Sequence, residues 1–278
     1  MTKRKLLFLT SELEPFNNLS DIATKISELP NELASCGLDV RILMPRFGTI
    51  NERRHKLHEV VRLSGINVMF NDEDFALTVK VASLPNSKHR LQIYFLHNDD
   101  FYNRKNDYLD DEGKFFDDNS ERMIFFNRGI METVRKFGWA PDFIICNGWM
   151  TSLVPFYART LYGADPIFSE SKIFFNVFDE GFKNPMEEKF LEKALLDNAI
   201  KEDKGLEFKS ATHTALCKGA IQYADAVVLN THSIDSELNK CIIESKKPTF
   251  NRDIPNENPK AFFEFLDAFK PVVESEGA

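Results

Sequence analysis

The stretch from Leu6 to Pro45 constrains this chain more than any other. Leu6-Leu7-Phe8-Leu9-Thr10 is a short apolar run, followed by the turn-like Ser11-Glu12-Leu13-Glu14-Pro15-Phe16-Asn17-Asn18 and then by a helical pattern from Ile22 to about Cys36. Gly37 supplies a helix stop, and Asp39-Val40-Arg41-Ile42-Leu43-Met44-Pro45 reads as a second strand. Strand, helix and strand in that order open a parallel α/β sheet. In such sheets ligands sit beyond the carboxyl ends of the strands, so the loop from Ser11 to Asp21 is where chemistry is expected first.

The rest of the chain narrows the partners. With 278 residues and 43% hydrophobic content it can bury a core of one large α/β domain or two small ones. The net charge is -8, and the basic residues are scattered except for Lys3-Arg4-Lys5 and Arg53-Arg54, so nucleic acid is not expected as a partner. The apolar run after Lys5 is shorter than the roughly 7–15 residues of a signal-peptide core. No segment approaches the roughly 20 apolar residues of a membrane span. Cys36, Cys146, Cys217 and Cys241 are dispersed, without CxxC pairs, and read as reduced thiols of a cytoplasmic protein. The 26 phenylalanines follow periodic segments and are assigned to the core.

Further along, alternating runs at Ile66–Phe70, Ala76–Ala82 and Leu91–Leu96 predict hairpins inserted beside the main sheet, the last run returning to it. Residues 98–119 lack a steady period and predict a long surface loop. A helix is expected from Ser120 to Phe137, closed by Gly138, then a strand at 141–147, a helix at 152–161 and a strand at 173–177. A polar segment at 187–209, a helix at 214–223 and a strand at 226–230 complete the domain. The expected fold is α/β: a single Rossmann-like domain over residues 1–245 with a mainly parallel sheet and helices on both faces, followed by a linker and terminal helix over 246–278.

Five blocks of residues resemble the bacterial glycogen and plant starch synthases. They are Thr10-Ser11-Glu12-Leu13-Glu14-Pro15-Phe16; Asp39 to Ile50; Phe116-Asp117-Asp118-Asn119-Ser120-Glu121-Arg122; Gly138-Trp139-Ala140-Pro141-Asp142; and Lys218-Gly219-Ala220-Ile221-Gln222-Tyr223-Ala224-Asp225. The resemblance spans residues 6 to about 235. It implies the N-terminal domain of a two-Rossmann (GT-B) glycosyltransferase that moves glucose from ADP-glucose to the end of an α-1,4-glucan; no cofactor and no metal are expected. About forty residues follow the last block, too few for a second such domain.

The resemblance also exposes departures. Asn18-Leu19-Ser20-Asp21-Ile22 stands where the family has K-T-G-G-L, removing a cation that would stabilise a diphosphate and placing Asp21 at a glycine. Met150 and Phe175 replace two site histidines. The positions carried over as substrate-binding are Asn17, Asn18, Asp118, Asn147, Trp149, Asn176 and Gly181. Asp118 is the one catalytic candidate, with helix capping as its other reading; Trp149 is either a sugar platform or an anchor between strand and helix. His55 and His58 lack a third ligand, and His213 and His232 lack a companion nucleophile. Cys146 is expected to be a buried thiol.

Two functions follow. The first is a glycogen-synthase homologue without independent transferase activity, acting as a glucan-binding or regulatory protein; the second is an enzyme, either a transferase completed by a partner chain or a catalyst of a different reaction in the same cleft. Expected ligands are an α-glucan or a sugar nucleotide. A protein partner or homodimer would use the apolar face of the terminal helix, which otherwise covers the parent sheet.

Overall fold

The structure, a computed structural model, describes residues 3–179, 181–196, 199–231, 233–252 and 259–269. Glu180, His232 and the proline-containing stretch 255–258 lie outside these. β1 (Lys5–Leu9) leads through α1 (Asp21–Ile26) and α2 (Leu29–Ser35) to β2 (Asp39–Pro45), which pairs with β1 in parallel. The stretch expected as one helix is two, because Pro30 lacks the amide that would carry the helical ladder on from α1.

The insertion comprises α3 (Glu52–His55), β3 (His58–Glu59), β4 (Ile66–Phe70) and β5 (Glu73–Ser83), and β6 (Gln92–His97) returns parallel to β2. Then come α4 (Asp99–Tyr102), the long α5 (Asn119–Phe137), β7 (Phe143–Asn147), α6 (Leu153–Arg159), β8 (Lys172–Val177) and α7 (Phe190–Ala194). The chain continues with α8 (His213–Tyr223), β9 (Ala226–Leu229), α9 (Ser236–Ser245), β10 (Thr249–Asn251) and α10 (Pro259–Asp267).

The sheet order is β10-β9-β8-β7-β1-β2-β6-β5-β3, with β4 paired to β5. From β1 the chain builds towards β2 and β6; from β7 onwards it builds the other way. Right-handed crossovers therefore set α1 and α2 on one face and α5, α6, α8 and α9 on the other. Accordingly α5 packs on α6, α6 on α8 and α8 on α9, while α2 meets α10. The reversal falls between β1 and β7, whose carboxyl ends open the crevice such a switch creates. Among the core side chains with no exposed surface are Phe8, Phe95, Phe125 and Phe156.

The tail differs from its sequence reading. Residues 249–251, expected in a linker, pair in parallel with β9 and extend the sheet. Three residues between Lys247-Pro248 and Arg252 carry too little pattern to mark a strand. α10 lies on the sheet: Phe265 and Phe269 set ring edges on Phe174 at 6.0 and 5.0 Å. Arg4 pairs with Asp267 and lies over the ring of Phe263. The apolar face of α10, with Phe262 and Leu266 buried, is thus used within the chain.

His97 ends β6 with Nε2 3.1 Å from Asp99 Oδ1. Burial lowers its pKa first, the charges of Arg46 and Lys80 add to that, and Asp99 opposes them. The unfolded chain binds this proton near pH 6.5, whereas the fold keeps the ring neutral. Its contribution to stability is therefore complete above about pH 6.5 and is lost as pH falls below it. Urea midpoints should drop from pH 7.5 to 5.5, and His97→Gln should flatten that slope; an unchanged slope would contradict the assignment.

Candidate functional site

The loop after β1 closes on its own side chains. Glu12 is buried, and its carboxylate accepts the amides of Leu19 (3.0 Å) and Ser20 (2.7 Å) and the Ser20 hydroxyl (2.7 Å). Asn17 accepts from the Leu13 amide at 3.1 Å and donates to the Ser11 carbonyl at 3.2 Å. Asn18 donates to Glu14 Oε1 at 2.8 Å. Ser20 caps α1 by accepting from the Ile22 amide, and Asp21 is exposed in its first turn.

A second set of polar groups joins the strand ends. Asn147 Nδ2 donates to the Leu9 carbonyl at 2.8 Å, and Asn176 Nδ2 donates to Asn147 Oδ1 at 2.7 Å. Both side chains are fully buried and tie β1, β7 and β8 where the sheet reverses. Asp118 occupies the cap position of α5 but makes no side-chain bond to the helix amides. Its carboxylate instead forms a two-pronged pair with Arg104, one prong at 2.8 Å. Capping is therefore not its role; the fork of Arg104 offers a charged partner that a helix end cannot match.

Beyond these ends lies a crevice of about 840 Å³, within the usual range of small-molecule sites. Its walls include Glu12, Tyr108, Phe115, Trp149, Phe182 and Glu187. The indole of Trp149 meets Tyr108 at 5.0 Å and Phe182 at 5.1 Å between ring centres, and Phe115 stacks on Phe182 at 4.9 Å. Gly181 carries the loop across His213: a Cβ there would lie 2.5 Å from the imidazole Cγ. A larger residue would lift Phe182 away from this wall.

Of the expected positions, Trp149 and Gly181 line the crevice; the side chains of Asn17 and Asn18 bond within the loop after β1, Asp118 pairs with Arg104, and Asn147 and Asn176 join the strand ends. Met150 and Phe175, where the resemblance places histidines, are buried in the core. Cys146 is likewise buried, which pushes its thiol pKa up and makes it unreactive. Sequence reasoning missed Tyr108, Phe115, Phe182 and Glu187. A signal existed for two of them: Leu109 and Phe115 bridge across a turn in which Asp110 Oδ1 accepts the amides of Glu112 (2.9 Å) and Lys114 (2.8 Å). Asp110 to Gly113 is thus a turn within an apparently aperiodic loop.

A second concavity of about 620 Å³, lined by Met69, Arg128, Arg135, Tyr162 and Asp165, lies away from the strand ends. On its wall Arg135 reaches Glu132 at 3.0 Å and Asp165 at 2.8 Å. Among the described residues, no three His, Cys, Asp or Glu side chains gather as a metal site, and no helix is long and apolar enough to cross a membrane.

Sheet order and switch point define a Rossmann-like α/β domain with its crevice at the strand ends. Residues 5–242 match the family model described as the starch synthase catalytic domain. The glycogen synthase of Chlorobium limicola is 33% identical over 258 residues, covering 89% of this chain and 51% of that protein. The glycogen synthase of Chlorobaculum parvum is 36% identical over 239 residues, covering 84% and 47%. The catalytic domain of starch synthase IV from Arabidopsis thaliana, bound to ADP and acarbose, superposes with a TM-score of 0.72 at 18% identity, covering 90% of this chain and 51% of that one. The chain belongs to the starch synthase catalytic domain family. It spans about half the length of the curated relatives it matches.

Proposed function

We propose that this domain binds α-glucan in the crevice beyond β1, β7 and β8 and has no glucosyltransferase activity of its own, acting as a glucan-binding or regulatory member of the family. What carries this reading is the carboxylate of Glu12, which takes the amides of Leu19 and Ser20 in the loop where a sugar nucleotide would be held. A diphosphate needs unspent backbone donors and a cation. Here the two amides already serve an anion, and Asn18 stands at the position of the family lysine. A glucan asks for different chemistry: ring faces for its apolar C–H surfaces and acceptors for its hydroxyls. Phe115 and Phe182, with Trp149 packed behind them, and the carboxylate of Glu187 supply both.

The second reading, a transferase completed by a partner chain, draws on Lys183, an ammonium on the crevice lining that would attract an anionic donor. Calorimetric titration of the purified chain separates the two. The first reading expects maltoheptaose to bind and ADP-glucose to bind more weakly, with no labelled glucose passed from ADP-glucose to glucan; incorporation above background by the purified chain would sink it.

A further inference from the structure

We infer that Glu187 sets the charge selectivity of the crevice, taking sugar hydroxyls on its carboxylate and turning phosphorylated ligands away; this rests on the glucan reading above. Glu187 lines the crevice on the loop between β8 and α7. Lys193 Nζ, from α7, lies 2.8 Å from each of its oxygens, and the Ser120 hydroxyl at the start of α5 donates to Oε1. The same ammonium lies 2.5 Å from Glu121 Oε1. Two carboxylates thus share one cation, and the cluster keeps a negative charge. Lys193 is itself largely buried, 13% exposed, so the pair is fixed in a medium where charge is poorly screened.

The other charges facing this space do not reverse that sign. Lys114 is paired with Asp117 at 3.1 Å, and Lys183 is exposed. Glu12 adds a carboxylate held by amides and a hydroxyl. The crevice therefore presents one carboxylate more than its cations balance. For a neutral ligand this is an asset: Oε2 accepts one bond, from Lys193, which leaves it a lone pair for a hydroxyl. For a phosphate the same atom is a like charge at contact distance. Two helices, α5 through Ser120 and α7 through Lys193, hold the carboxylate on the crevice lining.

The test is Glu187→Gln, which keeps the shape and removes the charge while Lys193 retains Glu121. Calorimetry on the full chain should show maltoheptaose binding weakened about tenfold and ADP binding strengthened at least threefold. Opposite signs are the signature, since general damage to the wall would weaken both. Both affinities unchanged, both lowered, or an ADP affinity that fails to rise would overturn the inference. Glu187→Asp, which keeps the charge but shortens the reach, should weaken maltoheptaose and leave ADP unimproved, so the proposal stays testable if the glutamine variant does not fold. Wild-type chain that does not bind maltoheptaose removes the glucan reading itself; wild-type binding with an unaltered variant removes only the role of Glu187.

Discussion

Arg122→Ala is expected to lower the free energy of unfolding by about 3–5 kcal/mol, read as a shift in urea midpoint at constant slope. Arg122 has no exposed surface. Its Nε donates to the Phe101 carbonyl at 2.8 Å and its Nη1 to Asn119 Oδ1 at 2.5 Å. The guanidinium carbon lies 5.5 Å from the ring centres of Phe47, Tyr102 and Phe116. Alanine would leave a void among three rings and two acceptors without donors, each a costly loss in a dry interior. Lysine should not rescue it, because a point charge cannot lie flat among the rings and reach both acceptors. A loss under about 1 kcal/mol would show that the site collapses around the gap. Since Arg122 braces α4 and the start of α5, it also holds the wall from which Ser120 faces the crevice.

The second large effect concerns binding. Phe115→Ala with Phe182→Ala should weaken maltoheptaose at least tenfold, because each ring loses stacking of about 0.5–1.5 kcal/mol besides its apolar burial. Both rings are partly exposed, so the melting temperature should move far less than for a core phenylalanine such as Phe125. Trp149 is less suitable for this test, since it is buried against Tyr108 and its loss would confound binding with folding. Unchanged affinity in the double variant would place the glucan elsewhere.

What could be read from the sequence follows from local physics. The β1-to-β2 unit was legible because a buried parallel strand shows as an unbroken apolar run and a helix as a period, and both patterns lie within forty residues. The antiparallel insertion and the return of β6 were legible from alternation. The break between α1 and α2 was carried by Pro30, in plain view but overridden by the period around it. β10 was hidden because an edge strand of three residues is decided by its neighbour β9, not by its own side chains.

The site was legible only in part. Trp149 and Gly181 follow strand ends, where topology places ligands, and both line the crevice. Asp118 shows the limit: its local sequence argues for a cap, but its partner Arg104, fourteen residues earlier in a loop, decides its role. Phe115, Phe182 and Glu187 meet only in three dimensions, so no spacing announces them. The same holds for Glu12, whose place in a recognisable block says nothing of the amides it occupies.

On the function proposed above, this crevice suits a neutral glucan better than a nucleotide diphosphate. Side-by-side calorimetric titration of the wild-type chain with maltoheptaose and with ADP-glucose tests it most directly. The predicted result is saturable binding of maltoheptaose and weaker or unmeasurable binding of ADP-glucose; ADP-glucose binding the more tightly of the two would contradict it.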